Sequence, residues 1–328
     1  MKLDPVDLIE ACYAPVKDDQ AWLELLLEAA APLDLGMGAV AAVFTANGGT
    51  IEMPSAATRN LPPHALARVQ RFWEVEADPE LARSAWRPPV RIMSRVTRHF
   101  PEESVGRLRT AFREAGGVRD ALGVIAIEPD GQGVIITVPA KTEIKLPPRA
   151  HRTLRCISAH LLSARRLRAR TERPPHPEDE GVEAVLDPAG RFHHATGEAA
   201  ARAGALHLAS RVKDVERARG RLRRTDPDEA VALWKGLVGG RWSLVDHIES
   251  DGRRFVLARR NEPGVRDPKA LAPRERDVLA YTLLGHSNKY IAYSLGIAPS
   301  TVAFHLTSAM AKLQVKSRRE LITAFAGP

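Results

Sequence analysis

The chain has 328 residues, of which 44% are hydrophobic and 27% charged, and its formal net charge is +8. That length predicts two or three domains, and the hydrophobic content is enough for packed cores. The chain has only two cysteines, Cys12 and Cys156, which is too few for a disulfide framework, and their separation does not match zinc-ligand spacing. No apolar run reaches the roughly eighteen residues of a membrane span, and the N-terminus lacks the order of a signal peptide. We therefore expect a cytoplasmic protein.

The first 170 residues predict helices and strands in alternation. Helical periodicity over 5–31 is interrupted near Pro15, a strand-like run follows at 39–45, and Asn47-Gly48-Gly49 predicts a turn into a strand at 50–53. The later predicted elements are helices at 62–76 and 102–115, strands at 121–127 and 133–138 joined by a Glu-Pro-Asp-Gly turn, and a long helix at 148–170. This order is similar to the GAF type of small-molecule sensor. We expect residues 1–170 to be a GAF-like α+β domain that either binds an unknown small-molecule ligand or only dimerises.

The long helix at 148–170 carries an apolar stripe and a basic end. The stripe could form a seam between two parallel helices of a dimer, or it could pack on the sheet of its own chain. The arginines at 165–170 suit the negative end of the helix dipole, and contact with DNA is the alternative. The stripe recurs at a spacing of three or four residues and consists of Leu154, Ile157, Leu161, Ala164 and Leu167.

A linker and a second domain are predicted next. Residues 171–180 contain three prolines and alternating charges, which is typical of a linker. The predicted elements beyond it are strands at 182–186 and 191–194 around an Asp-Pro-Ala-Gly turn, helices at 197–203 and 226–237, and a hairpin of strands at 241–248 and 254–260. The Asp-x-x-Gly-Arg run at this turn is similar to the start of a PAS sensor fold. We expect residues 181–262 to form a degenerate PAS-like α+β domain.

The remaining polar side chains do not predict an enzyme or a metal site. His193 and His194 are neighbours in a predicted strand, so their side chains point to opposite faces and cannot chelate one ion together. The sequence has no Gly-rich phosphate loop, no nucleophile elbow and no acidic triplet of a phosphorylated receiver domain. We therefore expect no enzymatic activity, no cofactor and no metal.

The end of the chain, residues 265–328, predicts three or four short helices. It holds nine basic and four acidic residues, a net charge of +5. Residues 288–295 have helical periodicity, Gly296 stands where a helix end requires a left-handed residue, and Pro299 suits the first turn of the next helix. A helix, a short turn centred on glycine and a second helix form the helix-turn-helix pattern.

The second helix of this pattern, from Ser300 to about Leu313, has two faces. The inward face consists of Val302, Leu306, Ala309, Met310 and Leu313. The outward positions are Ser300, Ala303, Phe304, Thr307 and Ala311. The outward positions near the N-terminus are those at which a recognition helix meets base edges.

These residues resemble the LuxR-type helix-turn-helix domain of bacterial transcription regulators. The matching positions are Leu271, Arg274, Glu275, Val278, Leu279, Gly285, Ser287, Asn288, Ile291, Ala292, Thr301, Val302, His305, Lys312 and Leu313. The resemblance implies a regulator that binds double-stranded DNA as a homodimer, with RNA polymerase as a further partner. Phosphate contacts are expected from Ser287, Lys289, Ser300, Thr301, Lys312 and Arg318, and base contacts from Ala303, Phe304 and Thr307.

Four positions depart from the family pattern: Ala272, Tyr290, Ala298 and Ala303. Ala298 replaces a helix-capping serine, and Ala303 beside Phe304 makes the base-reading face apolar. Such a face can touch thymine methyl groups but forms few hydrogen bonds to bases.

Taken together, the predicted elements indicate a multidomain chain, with α+β sensor-like domains followed by an all-α helix-turn-helix domain of four helices. The alternative is a protein-interaction module, or an antagonist of another regulator, that binds no DNA itself.

Overall fold

A computed structural model describes residues 3–47, 50–128, 131–171, 181–234, 237–238, 242–248, 254–260, 271–313 and 315–325. The chain divides into two compact units, which we call unit 1 (residues 16–162) and unit 2 (residues 4–15 and 163–325). Most of the predicted linker at 171–180 and the predicted turn at 249–252 lie outside the described residues.

The helices are numbered in chain order. They are α1 Pro5–Tyr13, α2 Asp19–Ala29, α3 Pro63–Arg71, α4 Pro79–Trp86, α5 Met93–Val96, α6 Glu102–Glu114, α7 Pro148–Thr171, α8 Gly197–Ala200, α9 Arg202–Arg217, α10 Arg223–Thr225, α11 Pro227–Leu233, α12 Pro273–Leu283, α13 Asn288–Leu295, α14 Pro299–Lys312 and α15 Arg318–Phe325. Two π-helical turns, Phe72–Glu76 and Ala218–Leu222, continue α3 and α9.

The strands form two sheets. They are β1 Ala39–Asn47, β2 Thr50–Arg59, β3 Val90–Ile92, β4 Asp120–Ile127, β5 Gln132–Ala140, β6 Val182–Leu186, β7 Phe192–Ala195, β8 Leu237–Val238, β9 Trp242–Ile248 and β10 Arg254–Arg260. The first sheet has the order β2-β1-β5-β4-β3 and the second has the order β7-β6-β10-β9-β8. Every pair of neighbouring strands is antiparallel.

Unit 1 buries both faces of the first sheet at its inner strand β4. All residues of β4 are buried, and successive side chains of a strand point to opposite faces, so both faces of the sheet are covered at β4, whereas one face of the edge strand β2 is largely exposed. Helix α2 packs on β1 and β2 through Leu23, Leu26 and Leu27. Helix α7 is fixed to β4 because the Ser158 hydroxyl donates a hydrogen bond to the carbonyl of Ile125.

Two features of unit 1 differ from the elements predicted from sequence, and a third bears on the two alternatives left open for the α7 stripe. Strand β2 continues past Pro54 to Arg59, because an edge strand tolerates a residue that cannot donate to the ladder. Helix α4 and strand β3 were not predicted, since eight and three residues give a weak periodic signal. The apolar stripe of α7 is buried by its own chain from Leu154 to Ala164, which favours packing within the chain over a dimer seam.

Unit 2 includes the first helix as well as the second sheet. Arg223 forms ion pairs with Asp4 at 2.9 Å and with Asp7, and Arg219 forms one with Glu10 at 3.2 Å. These carboxylates therefore hold α1 in unit 2, although the sequence led us to expect it in the domain at 1–170.

Helix α9 is the largest element of unit 2 that was not predicted. The helix predicted at 197–203 ends at Ala200, and α9 follows with 16 residues. Its buried stripe is short, consisting of Leu208, Val212 and Val215, so the apolar periodicity is weak in sequence.

Two kinds of feature are absent from the part of the chain that the structure describes. None of its helices combines the length and the apolar character needed to cross a membrane. No group of three or more histidine, cysteine, aspartate and glutamate side chains is arranged to hold a metal ion.

Candidate nucleic-acid interface

The turn between α13 and α14 has the geometry that the sequence predicted. Gly296 lies in the left-handed region, at φ 63° and ψ 31°. Its N–H donates to the carbonyl of Tyr293 at 3.2 Å, and the N–H of Ile297 donates to that of Ala292 at 3.0 Å. These two bonds form a Schellman motif, which ends a helix and redirects the chain. A side chain with a Cβ atom would be strained at Gly296 because of its positive φ.

Helix α14 begins with Pro299 in its first turn, as predicted. Ala298 occupies the capping position, and no side chain caps the helix in its place. The loss of such a cap costs about 1 kcal/mol. Pro299 and Ser300 in this turn are both exposed, and no side chain accepts from the N–H groups of the turn. A phosphate could accept hydrogen bonds from them at the positive end of the helix dipole.

The outward face of α14 is exposed along its length. Phe304 is 69% exposed, and Val302, Leu306 and Ala309 on the opposite face are buried. Thr301 and His305 are half-buried, and the His305 ring lies 5.5 Å from that of Phe304. The residues that share the exposed face are Ser300, Ala303, Phe304, Thr307 and Ala311.

A buried carboxylate connects the start of α12 to α14. Glu275 accepts hydrogen bonds from the N–H of Ala272 at 2.8 Å, from Ser308 Oγ at 2.6 Å and from Lys312 Nζ at 2.7 Å. Burial acts to raise the pKa of Glu275, but the hydrogen bonds and the Lys312 charge outweigh burial and lower the pKa to about 2. Glu275 is therefore ionised near neutral pH and fixes the position of α14.

The structure brings only some of the predicted phosphate contacts into the open. Lys289 and Ser287 are both exposed, and the Ser287 hydroxyl also caps α13 by accepting from the N–H of Tyr290 at 3.3 Å. The Lys312 side chain is 41% exposed, and its ammonium is paired with Glu275. Arg318 donates to Asn288 Oδ1 at 2.8 Å and to the carbonyl of His286, so its guanidinium holds α15 against the start of α13.

Contacts that the sequence did not predict attach the helical end to the rest of unit 2. The Tyr293 hydroxyl donates to the carbonyl of Val231 at 3.0 Å. The Arg166 guanidinium of α7 lies over the Tyr281 ring, 5.4 Å from its centroid. Tyr290, which departs from the family pattern, is buried against the His286 ring at 4.4 Å. The Tyr293–Val231 and Arg166–Tyr281 pairings join residues far apart in sequence, so no local pattern predicts them, whereas His286 and Tyr290 are four residues apart.

Comparison with known proteins finds similarity in this part of the chain. Residues 269–325 match the family model described as "Bacterial regulatory proteins, luxR family". The transcriptional regulatory protein FixJ of Rhizobium meliloti is 37% identical over 83 residues, which are 24% of this chain and 41% of FixJ. The nitrate/nitrite response regulator protein NarL of Escherichia coli is 46% identical over 55 residues, which are 17% of this chain and 26% of NarL. The chain thus matches less than half of the length of either relative.

A solved structure is similar over a longer stretch but much more distantly. The alignment with the structure of Escherichia coli SdiA covers 94% of this chain and 90% of the SdiA chain, at 11% sequence identity and a TM-score of 0.30. A similarity this low does not establish a shared fold. The helix-turn-helix assignment rests on the geometry around Gly296 and on the match at residues 269–325.

Proposed function

We propose that the protein is a DNA-binding transcription regulator of the LuxR helix-turn-helix type. The observation that carries the proposal is the exposed face of α14, which follows a Schellman turn in a segment that matches the luxR family model. A helix held in this way can enter the major groove of double-stranded DNA.

The residues on this face determine what kind of base contact the protein makes. Ala303 and Phe304 have no polar side-chain atom, and Thr307 has one hydroxyl and one methyl group. Apolar contact with the methyl group of thymine is therefore the main base contact, and hydrogen bonds to base edges are few. Ser300, Thr301 and Lys289 contact phosphates, together with the uncapped N–H groups of α14.

The rest of the proposal concerns domains and partners. Residues 1–170 and 181–262 act as GAF-like and PAS-like sensor domains, which is supported by a five-stranded antiparallel sheet in each. The protein works in the cytoplasm as a homodimer that recruits or excludes RNA polymerase. The dimer uses a surface other than the α7 stripe, since that stripe is buried by its own chain.

Selection of bound fragments from random DNA, followed by gel-shift measurements, tests DNA binding. Gly296→Val should abolish binding because a β-branched residue is strained in the left-handed region and misplaces α14. Thr307→Glu should abolish binding without unfolding the chain, since Thr307 is exposed and the new carboxylate repels the DNA backbone. Thr110→Glu is the matched control, because Thr110 is exposed on helix α6, and it should bind as the wild type does.

The salt dependence of binding tests which cations contact phosphates. If about five phosphates are neutralised per subunit, log affinity should fall against log salt with a slope of roughly −4.5. Lys289→Gln should make the slope shallower by about 0.9, the share of one phosphate. Lys312→Gln should change the slope less, because the Lys312 ammonium is already paired with Glu275.

The competing proposal is an interaction module that binds no DNA. The exposed Phe304 favours it, because a large apolar side chain on the surface also suits a protein partner. Footprinting on genomic fragments separates the two proposals: a regulator protects specific sites, and an antagonist protects none. Binding that survives both Gly296→Val and Thr307→Glu would show that α14 is not the reading helix.

A further inference from the structure

Unit 1 contains an apolar cavity of about 60 Å³ between its sheet and helices α3 and α6. Val40, Ala42 and Ile135 form its floor on the sheet, and Ala65 and Phe112 lie on the helices. A single water needs about 10–15 Å³, so the cavity has room for several waters or for one small organic molecule. Leu61, Leu66 and Val69 line the cavity and are only half-buried, so this wall borders solvent.

One charged side chain lines this otherwise apolar cavity. Arg91 is 4% exposed, and its guanidinium lies 5.1 Å from the centroid of the Trp86 ring and 5.6 Å from that of Trp73. The two indole rings offset part of the cost of burying the charge. The π-helical turn Phe72–Glu76 supplies Trp73, and turns of this kind occur frequently at functional sites.

Several N–H donors at the cavity have no acceptor. The Arg91 atoms Nε and Nη1 and the Trp86 atom Nε1 are buried and make no hydrogen bond. Leaving a buried donor unpaired destabilises the fold, and the effect is larger for a charged group. Three such donors on two side chains that line one cavity indicate that an acceptor from outside the chain belongs there.

The chain makes space for Arg91 but supplies no counter-charge. Gly123 faces Arg91 across the β3–β4 ladder, and a Cβ atom at Gly123 would come within 2.5 Å of Arg91 Nε. Asp120 lies on the same strand as Gly123, but its carboxylate already accepts hydrogen bonds from the N–H groups of Ser94, Ala121 and Ile144 and from the Ser94 hydroxyl. Among the described residues no carboxylate pairs with Arg91, and burial lowers its pKa to about 9, so it stays protonated at neutral pH.

We propose that this cavity binds a small apolar carboxylic acid, whose carboxylate accepts hydrogen bonds from Arg91 and from the Trp86 indole. An acceptor is required because neither a guanidinium nor an indole can accept a hydrogen bond, and a negative charge fits because no described carboxylate pairs with Arg91. An apolar body is required because the other lining side chains are almost all hydrocarbon. The volume limits that body to a single ring or a short branched chain. The proposal rests on the sensor role proposed for residues 1–170 and is independent of DNA binding.

Calorimetric titration of the full chain, without DNA, tests the proposal. The probes are benzoate, phenylacetate and isovalerate, each compared with its uncharged amide. At least one acid should bind, and its amide should bind at least about tenfold more weakly, because the amide has no charge to pair with the guanidinium. Ligand binding should also change the fluorescence of the wild type, since Trp73 and Trp86 line the cavity.

Variants locate the site. Arg91→Met keeps an apolar side chain of similar length and should weaken binding of the acid roughly 100-fold. Trp86→Phe keeps a ring but removes the N–H and should weaken it about tenfold. Arg95→Met is the matched control, since Arg95 is an exposed arginine four residues along the chain, and it should bind as the wild type does.

Three outcomes overturn the proposal. They are the failure of all three acids to bind, equal binding of an acid and its amide, and unchanged binding by Arg91→Met. The first two comparisons use only the wild type, so a variant that fails to fold does not leave the proposal untested. Because DNA is absent from the titration, failure here and failure of the proposed regulator function are separate results.

Discussion

The two sheets of the protein share one strand order, and each lies in a unit with an arginine stacked on tryptophan. Arg219 lies over the Trp234 ring, 4.6 Å from its centroid, and pairs with Glu10, Glu216 and Asp246. Arg91 lies over Trp73 and Trp86 and pairs with no described carboxylate. The same pair of residue types therefore serves two purposes. In unit 2 the chain supplies the counter-charge, and in unit 1 the charge remains available for a ligand.

Because of this difference, the pKa of Arg219 is raised and the pKa of Arg91 is lowered. Burial acts to lower the pKa of Arg219, but the hydrogen bond to Asp246 and the charges of Asp246, Glu216 and Glu10 outweigh burial and raise it. Burial acts alone on Arg91 and lowers its pKa. Removing an arginine whose carboxylate partners are buried beside it leaves their charges uncompensated, whereas a buried arginine without a carboxylate partner destabilises the fold until a partner binds.

The largest expected effect on stability is that of Arg219→Met. Removing one member of a buried charge network leaves the others uncompensated, so the free energy of unfolding of unit 2 should fall by about 3 kcal/mol. Urea unfolding, followed by hydrogen exchange of β9 and β10, measures the change. Arg217→Met is the control, because Arg217 is 62% exposed and its ion pairs should contribute less than about 1 kcal/mol. An equal loss in both variants would mean that the comparison is wrong.

In the Glu275 cluster, as in the Arg219 network, the chain itself supplies the counter-charge, and the expected effect on stability is smaller. Glu275→Gln should lower the stability of the helix-turn-helix segment by about 2 kcal/mol at neutral pH, because two charge-assisted hydrogen bonds are weakened. Folding lowers the pKa of Glu275 from 4.5 to about 2. Protonation therefore favours unfolding, and stability is lost as the pH falls from 4.5 toward 2.

Hydrogen exchange of α12 and α14 across this pH range measures the Glu275 contribution. The wild type should lose protection as the pH falls, and Glu275→Gln should show a shallower dependence. Glu320→Gln, on the exposed part of α15, should behave as the wild type does. A pH dependence that is the same in wild type and Glu275→Gln would show that another carboxylate is responsible.

Arg91→Met should have a smaller effect, and of the opposite sign to that of Arg219→Met. Replacing a buried unpaired charge with a hydrocarbon chain of similar volume should leave unit 1 unchanged or stabilise it by about 1 kcal/mol in the absence of ligand. Urea unfolding of the two variants side by side provides the test. A loss of several kcal/mol in Arg91→Met would show that its charge is already satisfied in the free protein.

Phe304→Ala should have the smallest effect on stability. Its side chain is 69% exposed, so unfolding should change by less than about 0.5 kcal/mol. Binding to a selected thymine-containing site should nevertheless weaken about tenfold, the lower end of what one base contact provides. Loss of stability without loss of DNA affinity would place Phe304 in the fold instead of at the DNA.

Local sequence signals predicted the parts of the molecule whose geometry depends on near neighbours. Gly296 and Pro299 predicted the turn and the start of α14, because positive φ and a missing N–H are properties of single residues. The period of apolar residues predicted which face of α14 is exposed. Helix α9 and strand β3 escaped prediction, because a weak stripe and a three-residue strand owe their structure to tertiary packing.

The sequence by itself determined that the C-terminal segment is basic and has a helix-turn-helix pattern, because that pattern depends on residues only a few positions apart. Only the tertiary structure decided which charges are paired. Lys312 forms an ion pair with Glu275, and an ion pair between Glu10 and Arg219 holds α1 in unit 2. Arg91 lies against two tryptophan rings and has no carboxylate partner among the described residues. The physical reason is that electrostatic pairing depends on distance in space and on burial, and both are fixed only when elements remote in sequence pack together.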